Sequence, residues 1–290
     1  MTTFEDLLYG RLTEDETLKS ELAQYGKSPA VFYQTAPDDT AEGWNDGKQY
    51  PRIDYIVDYI ANPERKTSGV LTLNISSTED GKPPEELEPV VRRLLCGIFI
   101  TPDNAPPYSL AWARSDAYDA RTAADGIITG ITVTFDVYAF PLQTTTDPDP
   151  ILAMNRYIKR LIPTAEVIGG LKPTAQIYIP TAEAPAVYFR LASIQLMRRT
   201  NTTSWMEAVI VGHIFAAGEE TTWLKFAVNE LALAGEVTML DTSPMFMRNL
   251  KADNTLDALS AGQLRITAHF GILRRRPYHH PLLYANRDYE

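Results

Sequence analysis

Cysteine and histidine are scarce in this chain of 290 residues, which holds one cysteine, Cys96, and four histidines. A single cysteine cannot close an internal disulfide, which favours a reducing compartment, and we interpret Cys96 as a small buried hydrophobe. Structural zinc needs clustered Cys and His ligands. His213 and His269 stand alone in predicted strands and are interpreted as polar strand-face residues. His279 and His280 are adjacent, and neighbours on an extended chain point in opposite directions. We therefore predict no metal site and no cofactor.

Motifs that carry catalysis are also missing, since the chain contains no Gly-x-Gly-x-x-Gly, P-loop or Gly-x-Ser-x-Gly pattern. Glu85, Glu86 and Glu88 stand at a predicted helix start, where the helix dipole accounts for them. Asp54 and Asp58 share one strand face at a spacing of about 13 Å, too far apart to share a proton. We predict that the protein is not an enzyme, because no nucleophile, base and orienting group occur together.

Long apolar runs are absent as well. Nowhere do about 18 apolar residues follow one another, so no transmembrane helix is expected. The first residues, Met1 to Asp6, are acidic and hold no apolar core, so we expect no secretory signal there. Both observations predict a protein that does not act at a membrane.

Charge is unevenly distributed along the chain. Residues 1–147 hold 12 Lys and Arg against 24 Asp and Glu, whereas residues 148–290 hold 15 against 13. This balance argues against general wrapping of nucleic acid, which needs a basic surface. Either the acidic half meets a less acidic partner, including the other half of a neighbouring copy, or it is a solubilising surface.

A short pattern of small residue, Pro, Ala, Val, two aromatics and a polar residue occurs twice. It spans Ser28–Gln34 and returns at Ala184–Arg190, with Pro29 and Pro185 separated by 156 residues. Each copy is followed by extended runs, an amphipathic helix and a closing alternating strand. The echo predicts an α+β protein of two tandem modules, residues 1–147 and 148–290, each a mainly antiparallel sheet with helices on one face.

The elements predicted for the first module follow from local signals. Thr13 and Glu16 form a predicted capping box for a helix over 14–25, with a shorter helix around Phe4–Tyr9 before it. Alternation predicts strands, and proline and acidic residues followed by helical apolar spacing predict a helix. The predicted strands and helix are Pro29–Gln34, Arg52–Ile60, Val70–Ser76, the helix starting at Pro83, Tyr108–Ala113 and Ile131–Phe140.

The second module is predicted in the same way. Asp149 and Pro150 begin a helix over Ile151–Leu161. Strands are expected over Ala186–Met197, Trp205–Phe215 and Leu264–Leu273, with a helix over Thr222–Ala234. Residues 241–262 form an excursion without a counterpart of that length in the first module.

Candidate interface residues come from three places. Trp44 lies in the polar loop 35–49, where it either anchors a partner or folds back onto its own module. The arginines Arg265, Arg274, Arg275, Arg276 and Arg287 form the main basic cluster, interpreted as an interface clamp, a phosphate contact or a solvated strand end. Apolar residues of the C-terminal extension suggest docking on a neighbouring subunit. These are Tyr278, Leu282, Leu283 and Tyr284.

Three segments resemble bacteriophage tail terminator, or tail completion, proteins, which also occur in phage-derived contractile particles. They are Ser28–Gln34, Tyr50–Tyr55, and the run from Asn62 to Arg65 into Ser68–Leu73. Residues 1–140 follow the order of elements of that family, and residues 150–273 follow it loosely, without its Tyr-Pro-x-Ile motif.

The resemblance implies a structural role. It implies a ring, typically of six subunits, on the head-proximal end of the tail tube, which ends tube polymerisation and joins the neck or collar. Implied partners are the chain itself, tube and sheath proteins, and neck or collar proteins, with DNA only as passing cargo. The implied location is the virion or a tail-like particle, assembled in the cytoplasm of a host bacterium.

Two alternatives stay open from the sequence. Another tail component, such as a tube, sheath or baseplate adaptor subunit, can be built from related small α+β modules. The second alternative is a soluble, non-enzymatic binding module that belongs to no particle.

Overall fold

The computed structural model describes residues 1–62, 64, 66–122, 126–170 and 175–274. These residues form an α+β structure in which strands outnumber helices, and most strands belong to two sheets. The predicted α+β class is therefore confirmed.

The elements of the first half begin with α1 (Phe4–Thr13) and α2 (Glu16–Glu21). They continue with β1 (Gln24–Tyr25), β2 (Ser28–Pro29), β3 (Val31–Tyr33), β4 (Arg52–Asp58), β5 (Gly69–Thr78), α3 (Pro84–Leu95), β6 (Phe99–Ile100), β7 (Tyr108–Thr122) and β8 (Gly126–Ala139). The second half holds α4 (Pro150–Leu161), β9 (Glu166–Val167), β10 (Ile177–Tyr178), β11 (Ala186–Arg199), β12 (Thr203–Phe215), α5 (Glu220–Ala234), β13 (Glu236–Thr238), β14 (Pro244–Ala252) and β15 (Leu264–Leu273).

The first sheet has the strand order β10-β6-β7-β8-β5-β4-β3. Its edge strand β3 runs parallel to β4, and every other neighbouring pair is antiparallel. Strands β7 and β8 form a long hairpin, and β7 continues well beyond the residue 113 at which the sequence predicted its end.

The second sheet has the order β13-β14-β15-β12-β11-β9. Here too the edge strand, β9, is parallel to its neighbour, and the remaining pairs are antiparallel. Counted from the parallel edge strand, β3 to β8 in the first sheet and the strands of the second sheet have the same spatial order relative to their order in the sequence. In each sheet the third strand from that edge is followed in the sequence by a helix, α3 or α5.

Helices cover one face of each sheet, which we call the inner face, and the opposite face is called the outer face. In the first sheet α1, α2 and α3 bury side chains such as Leu8, Leu18 and Val91 against inward residues of β4, β5 and β8. In the second sheet Met154 of α4 and Leu231 of α5 pack on the inward residues of β11, β12 and β15. At about 25 cal/mol per Å², these apolar clusters supply the main driving force for folding.

A third cluster joins the two halves. The rings of Phe99 and Phe140 meet Phe215 with centroids 4.9 Å and 5.8 Å away, and Tyr188 lies 5.1 Å from Phe140. Strand β10 also crosses the predicted boundary at 147/148, because it pairs with β6 of the first sheet. We call this contact region the junction.

Several local predictions are confirmed, because side-chain alternation depends only on nearby residues. Strand β15 has the predicted bounds, and α4 begins at Pro150 with Asp149 as its N-cap. The alternation that predicted β4 and β8 is confirmed, because alternate residues such as Ile53, Val133 and Phe135 are buried.

Other local predictions are wrong. Thr13 ends α1 instead of capping the next helix, and Asp15 caps α2, which stops at Glu21. The capping box is formed by Thr3 and Asp6 at the start of α1. The excursion 241–262 holds β14, which pairs with β15 as β7 pairs with β8.

The two copies of the Pro-Ala-Val pattern do not occupy equivalent positions. The first copy forms β2 and the edge strand β3, whereas the second begins β11, which stands where β4 stands in the first sheet. A proline followed by small and aromatic residues suits the start of any buried strand, so this short pattern does not determine the position of the strand.

Candidate assembly surfaces

The tip of the β11–β12 hairpin is the most exposed part of the second sheet. We define the hairpin tip as residues 195–204 together with Leu273 and Arg274, which end the neighbouring strand β15. Every residue from 195 to 202 is exposed, on both faces of the hairpin. Apolar side chains lie among them, with Leu196 42% exposed, Met197 50% and Leu273 73%. Exposed apolar residues concentrated in one place indicate a contact surface.

Arginines surround these apolar side chains. Arg198 and Arg199 end β11, and Arg274 reaches the same place because its Nη1 donates to the Thr200 carbonyl at 2.9 Å. The Arg198 guanidinium lies 5.6 Å from the centroid of the Trp205 ring, within the range of a cation–π contact. Among the salt bridges of the described residues, none neutralises these three arginines.

Sequence reasoning found only part of this cluster. Arg274, a member of the predicted basic cluster, lies at the hairpin tip, whereas Arg198 and Arg199 were not among the predicted site residues. The signal for them was the polar interruption between two predicted strands, which is a hairpin turn. The remaining predicted tail residues lie outside the described residues: Arg275, Arg276, Tyr278, Leu282, Leu283, Tyr284 and Arg287.

Arg265 lies on the outer face of the second sheet, away from the hairpin tip. Its direct neighbour across β14 is Lys251, and both side chains are exposed. Like charges opposite one another in a sheet repel. Arg248 adds a third exposed cation to the same face of β14. This outer face is therefore a second basic surface.

A row of hydrogen bonds crosses the outer face beside these cations. Gln195 Nε2 donates to Glu207 Oε1 at 2.7 Å, and His269 Nε2 lies 3.0 Å from Glu207 Oε2. Arg248 Nε donates to His269 Nδ1 at 3.3 Å, so Nε2 carries the proton of the neutral ring. The hydrogen bonds from His269 and Gln195 hold the pKa of the Glu207 carboxyl below its ordinary value. The strand-face position predicted for His269 is confirmed.

Trp44 folds back onto its own half, which is the second of its two predicted alternatives. Its ring packs edge-on against Tyr25 at 5.0 Å and Phe32 at 5.7 Å between centroids. Its Nε1 donates to the Asp38 carbonyl at 3.0 Å. The half-buried indole therefore orders the loop 35–49, and nothing in its geometry marks it as an anchor for a partner.

The outer face of the first sheet carries a polar row of its own. Asp54, Asn74, Thr132 and Asp116 lie side by side on β4, β5, β8 and β7. Thr132 Oγ1 donates to Asn74 Oδ1 at 2.7 Å, and Asn74 Nδ2 donates to Asp54 Oδ2 at 2.8 Å. Burial raises the pKa of the Asp54 carboxyl, while the Asn74 hydrogen bond and the Arg52 charge oppose that rise. This face is acidic and holds no helix in the described part of the chain.

His213 is buried at the junction, which corrects its prediction as a polar strand-face residue. It lies on the outward side of β12, but the rings of Phe140 and Tyr188 cover it and leave it 2% exposed. Arg190 Nε donates to His213 Nε2 at 3.1 Å, so Nδ1 carries the proton and donates to the Ala258 carbonyl at 2.6 Å. Burial lowers the pKa of the imidazole to about 4.

The described residues contain no group of three or more His, Cys, Asp or Glu side chains placed to hold a metal ion, and no described helix is long and apolar enough to span a membrane. Cys96 is half-buried at the end of α3, and its burial raises the pKa of its thiol. A cleft of about 510 Å³ lies at the junction, where Asp103 already accepts hydrogen bonds from the Thr2 amide and Gln176.

Comparison with known proteins found no match, neither among protein-family models nor among curated protein sequences.

Proposed function

We propose that this protein is a structural subunit of a phage tail or a phage-tail-like particle. In this proposal it acts as a tail terminator that forms a ring, of six subunits, on the head-proximal end of the tail tube. The ring ends tube polymerisation and presents its far side to neck or collar proteins. Its work consists of contacts between surfaces, and no reacting group takes part.

The proposal includes two tandem modules of the tail-terminator type. Their support is the common order of connections in the two sheets, from a parallel edge strand through an antiparallel hairpin and a helix to the returning strands. The described residues of the three segments that resemble the family include β2, β3 and parts of β4 and β5. Because helices cover only the inner face of each sheet, the outer face beyond the junction is left for neighbours.

The hairpin tip is the observation that carries an assembly role. It concentrates exposed Leu196, Met197 and Leu273 with three arginines that no described carboxylate neutralises. A basic cluster alone would suit a phosphate or a solvated strand end. Apolar side chains beside it favour a protein surface that covers them, since arginine and apolar anchors are enriched at the centres of interfaces.

The oligomeric state of the purified chain tests the ring. We expect native mass spectrometry and negative-stain images to show a closed ring of identical subunits. A chain that stays monomeric up to the highest soluble concentration contradicts the proposal. In the producing cell, deletion of the gene should give tubes of uncontrolled length. Absence of tubes after deletion would favour a tube or baseplate subunit. Absence of the protein from purified tails would exclude both the tail terminator and any other tail subunit.

The hairpin tip is tested by charge reversal. We expect the triple variant Arg198→Glu, Arg199→Glu, Arg274→Glu to lose ring formation or particle attachment while its unfolding midpoint changes little, because all three side chains are exposed. A control with the same change of charge places glutamate at Arg156, Lys225 and Arg160, on helices that cover the inner face. Unchanged assembly of the triple variant would show that the hairpin tip is not an assembly contact.

A further inference from the structure

We propose that the outer face of the second sheet of one copy docks on the outer face of the first sheet of the next copy. The contact is head to tail, and its partner is a second copy of this chain. This inference rests on the proposed ring and names the two surfaces that close it.

The basic side of this contact is the outer face of the second sheet. The described strands place the cations Arg190, Arg198, Arg248, Lys251 and Arg265 on this face, together with the carboxylates of Glu166, Glu207 and Glu236, so cations are in excess. Lys251 and Arg265 are exposed and directly opposite each other, and no described carboxylate bridges either. Their mutual repulsion is relieved when an acidic surface lies over them.

The acidic side of this contact is the outer face of the first sheet. Its charged residues are Asp54, Asp58, Asp116 and Asp136 against Arg52 and Arg114. Asp58 is exposed with no bridging cation among the described salt bridges, whereas Asp116 pairs with Arg114 at 3.0 Å. The exposed Ile56 side chain between Asp54 and Asp58, 48% accessible, provides an apolar point within this surface.

The two faces do not neutralise each other within one chain. Lys251 and Arg265 on the basic side and Asp58 on the acidic side are all exposed in the single chain. The junction between the two halves is built instead from the aromatic cluster around Phe140. The faces therefore remain available to another molecule, and copies of the same chain supply the complementary charge on each side. Two different patches that meet in this way form a heterologous contact, which closes into a ring when the rotation between copies closes.

A charge-swap cycle tests the contact. The first variant combines Lys251→Glu with Arg265→Glu, and the second combines Asp58→Lys with Asp116→Lys. Each alone places like charges against each other, and we expect the dissociation constant for subunit association to rise at least ~100-fold. An equimolar mixture of the two variants restores opposite charges at every contact, as does one chain that carries all four substitutions. We therefore expect sedimentation velocity and native mass spectrometry to show recovered oligomers in both cases.

Matched controls keep the net charge of each variant and move it away from the two faces. Arg156→Glu with Lys225→Glu changes exposed residues of α4 and α5, and Glu14→Lys with Glu85→Lys changes exposed residues near α1 and α3. We expect both controls to assemble like the unmodified chain. Thermal unfolding of every variant separates loss of contact from loss of fold.

The outcomes separate this inference from the proposed function. If the unmodified chain forms no oligomer, the ring itself fails. If it forms a ring and the two face variants assemble as well as their controls, the ring stands and this contact is overturned. Loss of assembly without recovery in the mixture also overturns it. A basic face that serves nucleic acid would instead show as binding of a 30-bp DNA duplex, lost in the Lys251→Glu, Arg265→Glu variant while the ring persists.

Discussion

Acidification should loosen the protein through His213, the buried imidazole at the junction. In the folded chain burial lowers its pKa from 6.5 to about 4, while the nearby charge of Arg190 acts in the same direction. The hydrogen bond to the Ala258 carbonyl and the charge of Asp257 partly oppose this. The unfolded chain binds a proton at His213 below pH 6.5, and the folded chain does not until the pH approaches 4. The contribution of the neutral His213 is therefore complete above pH 6.5 and is lost as the pH falls from 6.5 towards 4.

The expected size follows from the two pKa values. One pKa unit corresponds to ~1.4 kcal/mol, so His213 should withdraw ~3 kcal/mol of unfolding free energy across this range. Asp6, Glu207 and Asp253 have carboxyl pKa values lowered by hydrogen bonds, and their contribution falls at lower pH, within and below the ordinary carboxyl range. The window from pH 6.5 to 5 is therefore the part of the curve in which His213 should dominate.

Urea unfolding at pH 7.0, 6.0, 5.0 and 4.5 measures this dependence. His213→Asn keeps a donor for the Ala258 carbonyl but does not titrate, so we expect a lower stability at pH 7 and a flatter curve between pH 6.5 and 5. The matched variant His269→Asn removes a histidine from the outer face and should keep the slope due to His213. Equal slopes for the unmodified chain and His213→Asn would refute the reasoning.

Two further predictions concern particular contacts. Phe140→Ala should cost ~3–5 kcal/mol of unfolding free energy, because Phe140 lies in the junction cluster and is only 2% exposed. The same truncation at Phe226, which is 37% exposed on α5, should cost clearly less. Equal losses of the two variants in denaturant titrations would contradict the role of the junction. Asp149→Ala should cost ~1–2 kcal/mol, because the carboxylate accepts from the Ile151 and Leu152 amides at 2.8 Å and 3.1 Å; Asp149→Asn keeps an acceptor, and a thermal midpoint as low as that of Asp149→Ala would show that the cap is not the cause.

Predictions from the sequence succeeded where the deciding interactions are local. The alternation in β15 and β8 specifies which side chains face inward, because successive side chains of a strand point to opposite faces. The Asp149-Pro150 pair specifies the start of α4, because an N-cap acts within its own turn. The prediction failed at Thr13, because the side chain of Asp15, two positions later, accepts from the Thr17 and Leu18 amides and caps α2.

Tertiary contacts decided the features on which the proposals depend. The repeated Pro-Ala-Val pattern indicated two modules, but it aligned β3 with β11, which occupy different positions in their sheets. A pattern of seven residues carries no information about the strand with which it pairs. The burial of His213 depends on Phe140, which is 73 positions away in the sequence. Arg198 and Arg199 join Arg274 only because β12 pairs with both β11 and β15.

The amino-acid sequence by itself determined the α+β class, the inward faces of the main strands, and the acidic first half beside a nearly neutral second half. The strand order, the junction, and the two outer faces of opposite charge were decided only by the tertiary structure. The physical reason is distance along the chain: a side chain's face is determined by its immediate neighbours, whereas its burial and its charged partners are determined by strands that pack from elsewhere.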